Sequence, residues 1–136
     1  MPLALKDFQN LIDRIPINQY LHLQVLEIGE GYSKIRMPYN PVFTTLWNST
    51  HGGVLMTLAD VTFFIAMATL NGLDISGSIV IVENNTKFLS PSRESELYVE
   101  GRIINGETGD VIIMNTTDKL ISQSTIIYKK KCRPKS

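Results

Sequence analysis

The sequence has little of what would tie it to a specialised setting. A single cysteine, Cys132, stands among the 136 residues. No disulfide can close within the chain, and no Cys/His spacing resembles a zinc site. A reducing cytoplasmic location is expected, with no bound metal. Neither sign of charge is in excess: 13 Lys and Arg face 13 Asp and Glu. Net charge therefore draws the chain neither to nucleic acid nor to an anionic membrane, and neither is an expected partner. A continuous apolar stretch is missing from residues 1–10, where Lys6 and Asp7 interrupt it, so a secretory signal is not expected there. The Asn-x-Ser/Thr triplets at Asn48, Asn84 and Asn115 are accordingly read as chance matches rather than glycan sites. Internal repeats and low-complexity tracts are absent.

What is present describes a folded chain. The composition, 43% hydrophobic and 19% charged, is that of an ordinary globular protein. Its length suits one domain over residues 1–136, with an N-terminal helix in 1–16. The basic run Lys129, Lys130, Lys131, Arg133 and Lys135 is expected to be a solvated, disordered tail over 129–136. One apolar run, Gly52 to Leu73, is long enough to cross a bilayer. Asp60 sits near its middle and no positive clusters flank it, so the run is read as a buried core helix.

Periodicity orders the rest. Leu3, Phe8, Leu11, Ile12 and Ile15 recur at helical spacing until Pro16 stops them. Leu21, Leu23 and Val25 alternate as in a strand, then the phase slips to Leu26 and Ile28, which predicts a bulge near Val25. A second strand is predicted over Tyr32 to Met37. An irregular stretch follows and leads into the apolar helix, with Ser49 or Thr50 as its cap and Asn71-Gly72 as its stop. Four further strands are predicted at Ser78 to Phe88, Glu96 to Ile104, Asp110 to Asn115 and Leu120 to Tyr128. No helix separates these four, so the sheet is mainly antiparallel and the class is α+β: one sheet wrapped around one long helix.

The chemistry concentrates in His51-Gly52-Gly53-Val54-Leu55-Met56-Thr57-Leu58-Ala59-Asp60. Two glycines at a helix start expose its first N–H donors, which suit a developing oxyanion. A carboxylate two turns later can attack a carbonyl or activate water. Helical spacing puts Gly53, Met56, Thr57, Asp60, Phe63, Phe64 and Met67 on one face, where burial should raise the pKa of Asp60. Eight residues span about 12 Å along the axis, too far for Gly52 and Asp60 of one chain to address one carbonyl. A site using both would draw them from two subunits. Two plainer readings stay open: a satisfied buried Asp60, and a His51 that only hydrogen-bonds neighbouring backbone.

The run His51-Gly52-Gly53 with Leu58-Ala59-Asp60, together with Asn85-Thr86-Lys87-Phe88-Leu89-Ser90-Pro91, resembles the hotdog-fold acyl-CoA thioesterases of the PaaI-like, phenylacetate-degradation type. The resemblance implies a hotdog fold and hydrolysis of acyl-CoA to free acid and CoA, with coenzyme A present only as part of the substrate. It implies Gly52 as oxyanion donor, Asp60 of the neighbouring subunit as nucleophile or general base, and His51 shaping the loop. It also implies a homodimer or homotetramer with sites at subunit interfaces. The acyl chain would run along Met56, Phe63, Phe64 and Met67.

The chain departs from that pattern at three places. Thr45 stands where the family carries Asn, Asn48 where it carries Gly, and Ile81 where Ser or Thr is frequent. Thr45, Asn48 and Thr57 are the candidate substitutes, and Asn85 is the strand Asn of the motif. A non-catalytic acyl-CoA binding module is therefore the alternative to the enzyme. A hydratase is disfavoured, because no Asp/His pair lies within one short loop and helix.

Overall fold

The computed structural model describes residues 4–72 and 78–131. In chain order it contains α1 (Leu5–Asp13), α2 (Pro16–Leu21), β1 (Gln24–Gly29), β2 (Tyr32–Met37), a 3₁₀ turn (Pro41–Phe43), α3 (Gly52–Asn71), β3 (Ser78–Phe88), β4 (Leu97–Ile103), β5 (Thr108–Met114) and β6 (Leu120–Lys131). All strand pairs are antiparallel, in the order β1-β2-β4-β5-β6-β3. This is the hotdog architecture: a six-stranded sheet curled around α3, which packs against every strand.

The alternation that marks each strand is the physical cause of the wrap. In β2, β4 and β5 every second residue is buried, so one sheet face meets the helix and the other meets solvent. Ile35, Val99, Val111, Ile113, Ile121 and Ile126 close over Leu58, Phe63, Ile65 and Met67 of α3. Phe63 packs on Tyr128 with ring centroids 5.1 Å apart. α3 ends at Gly72, whose φ of 63° is the left-handed conformation that a C-terminal cap requires.

Three expectations are corrected. Pro16 does not merely end the first helix. Ile15 before it is extended (φ −93°, ψ 115°), and Pro16 opens α2 at a position where its missing N–H costs nothing. Helix α2 then runs through Leu21, so the first strand begins at Gln24 rather than Leu21. The predicted bulge lies between Val25 and Glu27. The third correction concerns the basic tail: Lys129 to Lys131 continue β6 and pair with Val80, Ile79 and Ser78. The rest of the run, 132–136, falls outside the described residues.

Candidate active site

The N-terminus of α3 is fixed by backbone bonds from two directions. His51 N donates to Phe43 O at 2.8 Å and Thr50 N donates to Ser92 O at 2.9 Å. The turn before it closes through Asn48 N to Thr45 O at 3.1 Å, with Asn48 at φ 59°. Asn is among the few non-glycine residues that tolerate this conformation, so Asn48 shapes the turn, and its side chain is exposed. Thr45 Oγ1 lies 2.9 Å from Ser49 Oγ and accepts from Trp47 N.

The cap of α3 is His51 and not Ser49 or Thr50: His51 Nδ1 accepts from Gly53 N at 2.9 Å. That contact explains the second glycine, since a Cβ at Gly53 would meet the imidazole at 3.1 Å. A Cβ at Gly52 would meet the Phe88 ring at 3.3 Å. Gly53 N is used by His51, and the N–H groups of Val54 and Leu55 go to His51 O. Among the described residues, no acceptor meets Gly52 N–H. The free donor at the positive end of the helix is therefore Gly52. It borders a cavity of about 300 Å³ lined also by Thr45, Leu55, Phe88, Pro91 and Ser92. Ser92 is buried, and among the described residues its Oγ has no partner. No sequence motif marked Ser92; the Thr50–Ser92 contact brings it here.

Asp60 occupies a different cavity, of about 200 Å³, with Ile15, Val61, Phe63, Phe64, Ile79 and Ile81 around it. Burial among these apolar groups raises its pKa above the ordinary 3.8, and a hydrogen bond from Asn84 works in the opposite direction. Asn84 Nδ2 donates to Asp60 Oδ1 at 3.0 Å. Asn84 was missed by sequence reading, which chose Asn85. The β3 bulge between Ile81 and Glu83 inserts one residue and reverses the alternation. Ile81 and Asn84 consequently share the inner face, while Asn85 is exposed.

The predicted helix face also divides. Gly53, Met56, Thr57, Asp60 and Phe64 form a stripe that the protomer's own sheet leaves partly open. Phe63 and Met67 are fully buried. Phe63 still borders the Asp60 cavity, whereas Met67 belongs to the core and not to an acyl channel. Met56 offers its carbonyl to Asn84 Nδ2 at 3.4 Å, and Thr57 Oγ1 donates back to Gly53 O. The Gly52 and Asp60 cavities share no lining residue, so one protomer does not bring donor and carboxylate together. Among the described residues, no group of three or more His, Cys, Asp or Glu gathers as a metal cluster would.

With fold and geometry in place, comparison with known proteins gives the class. The Thioesterase superfamily profile matches residues 48–108, from the turn before α3 to the start of β5. Two solved structures are similar over nearly the whole chain. The PaaI protein from the phenylacetic acid degradation operon of E. coli is 20% identical, covering 98% of each chain with a TM-score of 0.77. Thioesterase superfamily member 2 from Mus musculus is 20% identical, covering 96% of this chain and 98% of its own with a TM-score of 0.82. A Saccharolobus solfataricus protein whose name marks it as a candidate esterase is 25% identical over 97 residues, 71% of this chain and 67% of its own. By fold the chain is a hotdog protein, and over residues 48–108 its sequence is similar to the Thioesterase superfamily.

Proposed function

We propose that the protein is a thioester hydrolase of PaaI-like type that cleaves acyl-CoA to free acid and CoA, in a homo-oligomer whose sites form between subunits. Thioester hydrolysis in general follows from the superfamily match. The observation that supports the finer reading is the separation of the two chemical halves: an unpaired Gly52 N–H and a half-buried Asp60 that face different cavities of one protomer. A second copy laid along the open stripe of α3 would supply the missing half to each. β3 offers the route, because it is a sheet-edge strand of 11 residues with Val82 and Phe88 about half exposed. Unpaired edges of that length call for a partner.

In this arrangement the thioester carbonyl oxygen accepts from Gly52 N–H, which meets the negative charge that develops there. Asp60 takes a proton from water, whose oxygen adds to the carbonyl carbon. The tetrahedral intermediate collapses, the C–S bond breaks, and the CoA thiolate leaves and is protonated. A pKa raised by burial makes Asp60 a stronger base than an exposed carboxylate. The apolar walls beside it suit an aromatic or medium aliphatic acyl group. No cofactor beyond the CoA of the substrate enters this scheme, and it accords with a cytoplasmic location.

Ile81 favours a second reading. It lines the Asp60 cavity with a hydrocarbon wall where a polar group could hold the attacking water, as a non-catalytic acyl-CoA binder would tolerate. Thiol release from short, medium and aromatic acyl-CoA esters, compared between wild type and Asp60→Asn, separates the two. Turnover that disappears in the variant supports the hydrolase. Saturable binding without turnover in wild type selects the binder.

A further inference from the structure

Asp60 lies among hydrocarbon on every side but one. Ile15 from the α1–α2 elbow, Val61, Phe63 and Phe64 from α3, and Ile79 and Ile81 from β3 form its cavity. No other charged or titratable side chain lines that cavity, and none is in an ion pair with Asp60 among the described residues. Among the described residues, the sole polar side chain that reaches the carboxylate is Asn84.

Asn84 is itself held. Its Oδ1 accepts from Thr86 Oγ1 at 2.7 Å, and Thr86 Oγ1 lies 2.7 Å from Ser124 Oγ across the β3–β6 pair. A hydroxyl has one proton to give. Thr86 spends its proton on Asn84, so the Thr86–Ser124 contact must be donated by Ser124. The direction of the chain follows: Ser124 to Thr86, Thr86 to the Asn84 carbonyl, and the Asn84 amide to Asp60. An amide turned the other way would place oxygen against carboxylate oxygen and leave the Thr86 proton facing an N–H group. The second amide hydrogen points to Met56 O at 3.4 Å, the carbonyl one turn before Asp60, so the same side chain ties β3 to the helical turn that carries the acid.

We infer that Asn84 is the positioning residue for Asp60, locked as a donor by the Ser124–Thr86 hydroxyl relay so that the carboxylate is kept oriented and ionised inside an apolar cavity. The catalytic consequence rests on the hydrolase reading above; the relay does not. Sheet and helix meet through this contact because the β3 bulge turns Asn84 inward, so the bulge is part of the device.

The test follows Asp60 directly. In protein labelled with ¹³C at the aspartate side-chain carboxyl, the Asp60 resonance is identified by its loss in Asp60→Asn and titrated in wild type, Asn84→Leu and Thr86→Val. Losing the donor should move the Asp60 midpoint upward in Asn84→Leu, and losing the orienting hydroxyl should move it part of the way in Thr86→Val. With a reactive acyl-CoA ester, the acid limb of the kcat/KM profile should shift upward in the same order. kcat should fall about tenfold, the scale of one charge-assisted hydrogen bond, with KM little changed. An unmoved midpoint in folded Asn84→Leu overturns the inference. Should that variant not fold, Thr86→Val, which removes only a hydroxyl, decides it by the same readout. A shifted midpoint in a protein that hydrolyses no thioester supports the relay while removing the hydrolase reading.

Discussion

His51 spends its ring on the backbone of α3, and that use predicts how substitutions there behave. Truncation to Ala removes the acceptor for Gly53 N–H and should lower stability by about 1 kcal/mol, the usual worth of an N-cap. His51→Asn restores a short capping acceptor and should recover most of the loss in urea denaturation, with activity following stability. A His51 acting as general base would instead lose activity in both variants. Asp60 obeys a different balance. Its folded pKa is raised, so the native state holds this proton more tightly than the unfolded chain does. The associated stability is complete below the ordinary pKa and is lost as pH rises through the folded value. At pH 7 Asp60→Asn should therefore melt slightly above wild type, and the difference should vanish near pH 3. A melting-temperature series over that pH range checks both ends.

Elements impose their own constraints. β5 can approach α3 only because Gly109 is bare: a Cβ there would stand 2.4 Å from the ring of Phe63, a fully buried residue already packed on Tyr128. Gly109→Ala should cost about 1–3 kcal/mol, the range for overpacking a filled core, visible as an earlier denaturation midpoint. Strand phase shows where sequence reading holds and where it fails. Uninterrupted alternation placed β2, β4 and β5 within a residue or two. The β1 bulge announced itself because the apolar residues Val25, Leu26 and Ile28 break step. In β3 the residues around the bulge run Ile81-Val82-Glu83-Asn84-Asn85, and the two adjacent Asn are equivalent as letters, so nothing local said which one faces Asp60.

For the molecule as a whole, the separated site makes a prediction that no single-chain site shares. Pro at Gly52 removes the N–H at the first helical position, where the ring is tolerated, and His51 before it is already extended (φ −61°, ψ 134°). Gly52→Ala keeps the N–H and controls for crowding against Phe88. Gly52→Pro and Asp60→Asn should each be inactive alone, and co-expressed they should regain activity in mixed oligomers, which pair an intact donor with an intact acid. Mixtures that stay inactive would place the whole site within one chain.

The sequence by itself determined the class of fold and the central helix, and it singled out Gly52 and Asp60 as the residues proposed for the chemistry. Those rest on short-range physics: alternation, helical period, a glycine pair at a helix start, and one carboxylate in an apolar run. Tertiary structure decided what depends on residues distant in the chain. Phe88 against Gly52, Ser92 beside Thr50, Ile15 over Asp60, and the relay from Ser124 to Asn84 are contacts between residues 36 to 45 positions apart. The β3 bulge and the packing of distant elements set them, and neither left a periodic mark in this sequence.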